Sequence, residues 1–178
     1  MPTFEATDRI GLVFSVFDVD GNGAIESADF DLMSSRVAAA LPHAGADAKD
    51  RLTAALGRYW ETLVRELDAD GDGRISPEEF TAVVLDPKRF DAVVDEFAEA
   101  LAGLGDPDGD RMVTRPDFVA LMTAIGFELP NIQALFDALG PVDGDRVEVA
   151  VWAEAIRDYY RPEKADIAGD RLVSGVAR

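Results

Sequence analysis

The sequence predicts an all-α protein of four helix–loop–helix units. They are joined as two paired lobes, residues 1–86 and 87–160, with a tail, 161–178, packed on them. Three observations predict this. Acidic side chains recur at fixed offsets around glycines. Apolar residues recur at helical spacing on both sides of each acidic stretch. The whole pattern then repeats along the chain, as stacked supersecondary units do.

The first unit opens with Ile10, Val13, Phe14 and Phe17 on one face of an entering helix. A loop follows from Asp18 to Asp29. Asp18, Asp20, Asn22, Glu26 and Asp29 place side-chain oxygens at its positions 1, 3, 5, 9 and 12. Gly23 stands at position 6, where the chain must turn sharply, and Ile25 is the apolar residue at position 8. Phe30, Met33 and Val37 form the leaving face. Leu41-Pro42-His43-Ala44-Gly45 is a break, because Pro and Gly end helices. His43 is the only histidine, and its place in this break reads as solvated.

The second entering helix spans about Asp47 to Leu67, with Leu52, Leu56, Trp60, Leu63, Val64 and Leu67 on one face. Its loop has Asp68, Asp70, Asp72, Ser76 and Glu79 at positions 1, 3, 5, 9 and 12, with Gly73 and Ile75 at positions 6 and 8. Phe80, Val83 and Val84 continue beyond it until Asp86-Pro87. The third unit enters on Phe90, Val93, Val94, Phe97 and Leu101. Its loop carries Asp106, Asp108, Asp110 and Asp117 at positions 1, 3, 5 and 12. Arg111 replaces Gly at position 6, at a backbone cost on the order of 1 kcal/mol where φ is positive. Phe118, Leu121, Met122 and Ile125 leave.

The fourth unit enters on Ile132, Leu135, Phe136 and Leu139 and leaves on Trp152, Ile156 and Tyr159. Aligned on Val147 and Trp152, its loop starts at Gly140, and positions 1, 3, 5 and 12 fall on Gly140, Val142, Gly144 and Val151. None offers a side-chain oxygen, and Asp143 and Asp145 are out of register. This loop is expected to be an empty structural partner. Paired loops of this kind touch through position 8, so Ile25 should lie beside Ile75, and Val113 beside Val147.

A hard cation such as Ca²⁺ takes about 6–8 oxygen ligands, and these spacings converge that many on one point. Position 7 contributes a backbone carbonyl, from Ala24, Arg74 and Met112 in turn. Three Ca²⁺ sites are therefore expected. Asp29 and Asp117 are one methylene shorter than the Glu79 that holds the same position, so Mg²⁺ should compete at the first and third loops.

Composition narrows the function. The formal net charge of −18 argues against nucleic-acid binding and against anionic membrane surfaces. With no Cys and a single His, neither a disulfide framework, a zinc site nor a nucleophile–His pair is expected. No basic-then-apolar leader, myristoylation signal or membrane-length apolar run is visible, so a cytoplasmic monomer is expected, with no protein partner named by the sequence. Trp60 and Trp152 read as core.

The first loop with Asp29 at its end, the long interval before the second loop, the pattern Leu121-Met-Thr-Ala-Ile-Gly126 and the tail after Tyr160 resemble the EF-hand superfamily. Within it they are most similar to the sarcoplasmic calcium-binding protein group. That resemblance implies a compact four-EF-hand fold and a calcium buffer or carrier, not an enzyme. The alternative is a calcium sensor that exposes a groove and captures a partner helix. In that group the second loop is typically degenerate. Here the second is the most complete and the fourth is lost, so the sites are assigned from the residues themselves.

Overall fold

Each apolar stripe buries one helix face, and the helices follow the stripes. The computed structural model describes residues 4–81, 87–161 and 167–172. Helix α1 (Phe4–Phe17), α2 (Ser27–Ala40), α3 (Ala46–Leu67) and the short α4 (Pro77–Phe80) build the first two units. After a 3-10 turn at Pro87–Arg89 come α5 (Asp91–Leu104), β1 (Met112–Thr114), α6 (Arg115–Ile125), α7 (Leu129–Ala138), β2 (Arg146–Glu148) and α8 (Val149–Tyr159). A second 3-10 turn covers Ala168–Leu172. Val83 and Val84 lie outside the described residues, as do residues 162–166 and 173–178 of the tail. No helix among the described residues is long and apolar enough to cross a membrane.

The loops pair as their position-8 residues require. Ile25 and Ile75 form an antiparallel bridge, and Val113 faces Val147 where β1 and β2 pair antiparallel. All four side chains are buried. Helix α3 packs along α5, α5 along α8, and α2 along α6, so both pairs share one continuous core. At its centre, Phe17 stacks on Phe30 with centroids 5.0 Å apart, and the Tyr59 ring lies 5.4 Å from Phe17 and 6.1 Å from Phe97. Trp152 is buried against Phe118.

The sequence places Trp60 on the buried face of α3, but the structure centres that face on Tyr59. Trp60 is only half-buried, edging Phe30. Adjacent residues point about 100° apart on a helix, so a wide apolar stripe does not say which of two aromatics is central.

One buried cation holds the two ends of the fold together. Arg9 of α1 is fully buried. Its Nε donates to the Tyr159 carbonyl at 2.9 Å, its Nη2 to the Arg161 carbonyl at 3.0 Å, and its Nη1 to Asp170 Oδ1 at 2.6 Å. Beside it, the turn at 168–172 packs on α7, α8 and α1, with Leu172 buried. Gly169 permits this approach. A Cβ there would stand 2.6 Å from Cδ2 of Tyr159.

Candidate metal centres

The first residue of each of the three acidic loops organises the rest. Asp18 accepts from the backbone N–H groups of Asn22 and Gly23, at 3.1 and 2.9 Å. Asp68 accepts from Gly71, Asp72 and Gly73 at 2.8, 3.2 and 3.0 Å. Asp106 accepts from Arg111 at 3.0 Å. The position-5 side chain folds back in each case: Asn22, Asp72 and Asp110 accept from the N–H groups of Ala24, Arg74 and Met112 at 3.0, 2.8 and 2.8 Å. Such wrapping requires left-handed backbone at position 6. Gly23 has φ +88°, Gly73 +76° and Arg111 +66°, so Arg111 adopts the strained conformation that its position predicts.

These frames gather the carboxylates. Asp18, Asp20 and Asp29 each bring one oxygen within 4.8 Å of the others, as do Asp68, Asp70 and Glu79, and Asp106, Asp108 and Asp110. Two position-12 residues also begin the leaving helix. Asp29 accepts from Glu26 N–H at 2.8 Å and from Asp20 N–H at 3.3 Å. Glu79 accepts from Ser76 N–H at 2.9 Å and from Ala69 N–H at 3.0 Å, while its own N–H donates to Ser76 Oγ at 3.2 Å. Asp117 differs. Its N–H donates to Thr114 Oγ1 at 3.3 Å, and its carboxylate faces His43 instead of joining the oxygen group of its loop.

Electrostatics favour a cation at these points. Burial pushes the Asp29 carboxyl up, and the neighbouring Asp20 and Asp18 push it the same way, against backbone hydrogen bonds from Glu26 and Asp20 that lower it. Burial likewise raises Asp106. Its Oδ1 is buried with no hydrogen-bond partner among the described residues. A buried orphan carboxylate oxygen among further carboxylates needs a cation or a proton. The all-oxygen donor set suits Ca²⁺, so the residues fit the ion that the loop spacing implies.

Several neighbours escape sequence reading. Glu26 Oε1 lies 2.8 Å from Nε of Arg74, and its Oε2 accepts from Asn22 Nδ2 at 2.9 Å. Glu26 thus spans from its own loop to the second. In the other pair, Arg146 donates to Asp110 Oδ2 at 2.9 Å, and Arg115 donates to both oxygens of Asp145 at 2.6 and 2.9 Å. Arg115 also covers the Phe136 ring, 4.4 Å from its centroid. In the fourth loop Asp143 and Asp145 take left-handed backbone, φ +40° and +66°. Its acid is therefore used as an ion-pair partner of the third unit. These are long-range pairs between loops, and only the fold brings them together.

Comparison with known proteins agrees with this geometry. A family model described as an EF-hand domain pair matches residues 7–85. The chain is 27% identical over 167 residues to calerythrin from Saccharopolyspora erythraea, covering 90% of this chain and 94% of that one. It is 30% identical to a solved Streptomyces coelicolor calcium-binding protein, with a TM-score of 0.73, covering 88% of this chain and 98% of the other. The fold is also similar to a sarcoplasmic calcium-binding protein from amphioxus, with a TM-score of 0.72 at 19% identity, over 97% and 98% of the two chains. With the paired loops and their gathered carboxylates, these likenesses establish that the chain belongs to the EF-hand superfamily, as a calcium-binding protein similar to calerythrin and the sarcoplasmic calcium-binding proteins.

Proposed function

We propose that the chain is a calcium buffer or carrier that binds three Ca²⁺ per molecule. The observation that carries this reading is the shared construction of three loops, in which one frame of backbone hydrogen bonds gathers three carboxylates each time. In the first loop Asp18, Asp20, Asn22 and Asp29 are the ligands, with the Ala24 carbonyl and Glu26 directly or through water. In the second they are Asp68, Asp70, Asp72, the Arg74 carbonyl and Glu79. In the third they are Asp106, Asp108, Asp110, the Met112 carbonyl and Asp117. Three divalent ions offset a third of the formal net charge of −18, and relief of that repulsion adds to the stability gained by binding the folded state.

The buffer role is supported by the small supply of methionine, four in the chain including the initiator. A sensor exposes a Met-rich groove on loading. Here Met33 and Met122 are buried, and the exposed large apolar residues among the described ones, Leu32, Leu129, Val142 and Val151, are spread over separate elements. A sensor is the second reading. It is favoured by the 30% identity with the Streptomyces coelicolor protein, whose structure is described as a basis for calcium-mediated regulation. Binding of an apolar dye, with and without Ca²⁺, separates the two. Dye binding that falls on adding Ca²⁺ supports the buffer. Dye binding that rises overturns it and favours the sensor.

A further inference from the structure

The register of the first bridge sets Arg74 opposite Glu26. Ile25 and Ile75 pair antiparallel, so position 7 of one loop faces position 9 of the other. The second pair of loops has the same register, with Arg146 at position 7 opposite Thr114 at position 9. Position 7 is an arginine in the second and fourth loops, Arg74 and Arg146, and uncharged in the first and third, Ala24 and Met112. From this position, positive charge crosses each bridge in one direction only. Arg146 meets no acid at Thr114. Its Nε donates to the Asp143 carbonyl at 2.8 Å, and its Nη1 reaches on to Asp110 Oδ2. Arg74 meets Glu26 directly, with Nε 2.8 Å from Oε1.

Glu26 is held at both of its oxygens. Asn22 Nδ2 donates to Oε2 at 2.9 Å while Arg74 holds Oε1. The oxygen group of the first loop is formed by Asp18, Asp20 and Asp29, and Glu26 does not join it. We infer that Arg74 is a specificity-determining residue of the first loop, a positioning residue that acts through Glu26. It holds the Glu26 carboxylate away from the ion, so the first loop binds Ca²⁺ more weakly, and with less preference over Mg²⁺, than its own residues allow. A further carboxylate oxygen favours Ca²⁺, which takes more ligands than Mg²⁺ and tolerates looser geometry. A side chain of the second loop thereby sets the selectivity of the first. Both side chains are partly exposed, so the effect is modest, about threefold in affinity, within the range of an exposed ion pair. The inference rests on reading the first loop as a calcium site.

The test follows the Gly23 amide signal by NMR while the full-length protein is titrated with Ca²⁺, with and without Mg²⁺. That amide donates to Asp18 at 2.9 Å, so it reports on the first loop. Wild type is compared with Arg74→Met, Glu26→Gln, the double variant and Arg58→Met. Arg74→Met leaves the backbone carbonyl of the second loop in place. Arg58→Met removes the same charge from the Arg58–Glu96 pair between α3 and α5, and so controls for net charge. In Arg74→Met the Gly23 response is expected to tighten about threefold or more and to become less sensitive to Mg²⁺, while Arg58→Met matches wild type. Glu26→Gln is expected to abolish this gain in the double variant, because the two residues act through one contact. Equal Gly23 responses in Arg74→Met and Arg58→Met, or a gain that survives Glu26→Gln, overturn the inference while the calcium site stands. A Gly23 amide that does not respond to Ca²⁺ in wild type overturns the calcium reading of the first loop, and the inference with it.

Discussion

Ile25 and Ile75 exchange both backbone hydrogen bonds, each 2.9 Å long, with both side chains completely buried. Each isoleucine stands one residue after its loop's position-7 carbonyl, so the bridge locks the frames of the first two loops to each other. An ion ordering one loop then pre-orders the other. Glu79→Gln should therefore weaken the first site as well as the second, by about fivefold or more, the low end of usual coupling energies. Site-resolved calcium titration of that variant checks this. An unchanged first-site affinity would show that the bridge is only structural.

Magnesium should separate the sites. Mg²⁺ prefers six ligands at shorter distance, and an Asp at position 12 reaches both oxygens to an ion less easily than Glu. Millimolar Mg²⁺ is expected to compete best at the first and third loops and least at the second. Asp29→Glu should raise the Ca²⁺/Mg²⁺ selectivity of the first loop, as read by competitive titration. Unchanged selectivity would mean that Glu26 or a water already supplies the missing ligand.

The Arg9–Asp170 pair should govern how firmly the chain ends are held. Removing one partner of a buried ion pair typically costs about 3–5 kcal/mol, because the other charge is left uncompensated. Arg9→Ala is expected to approach this loss in denaturant unfolding, since three hydrogen bonds go with it. Asp170→Asn should lose less, because the two carbonyl partners of Arg9 remain. Equal stabilities for both variants and wild type would remove the clamp from the account.

Alkaline pH should unfold the protein through its tyrosines. All three tyrosines of the chain are raised, chiefly by burial. Tyr160 is pushed up to about 12, and burial pushes Tyr59 and Tyr159 up as well. A raised phenol favours the protonated folded state, so there is no penalty below the ordinary value of 10, and stability is lost as pH rises above it. Phenolate absorbance and loss of helix by circular dichroism should therefore appear together above that pH. Phenolate formation at the ordinary value with the helices intact would contradict this burial.

Much of this architecture is legible in the chain because its signals are local. Loop offsets, the left-handed position 6 and the apolar position 8 all act within a dozen residues, and they yield the loops, the helices and the pairing of Val113 with Val147. The parts that escape reading are non-local. Nothing in the surroundings of Arg9 announces a partner at Asp170. Nothing in the 41–45 turn says that His43 meets Asp117, or that Arg146 engages Asp110. The choice of Tyr59 over Trp60 as the inner aromatic was likewise settled by neighbouring helices, not by the period of α3.

The first three loops are each expected to hold one calcium ion and the fourth none. Anomalous scattering from crystals of the calcium-loaded protein reads this occupancy loop by loop. Three peaks are predicted, one within the carboxylate groups of each of the loops 18–29, 68–79 and 106–117. A peak within residues 140–151, or no peak in any one of the first three loops at saturating calcium, would contradict it.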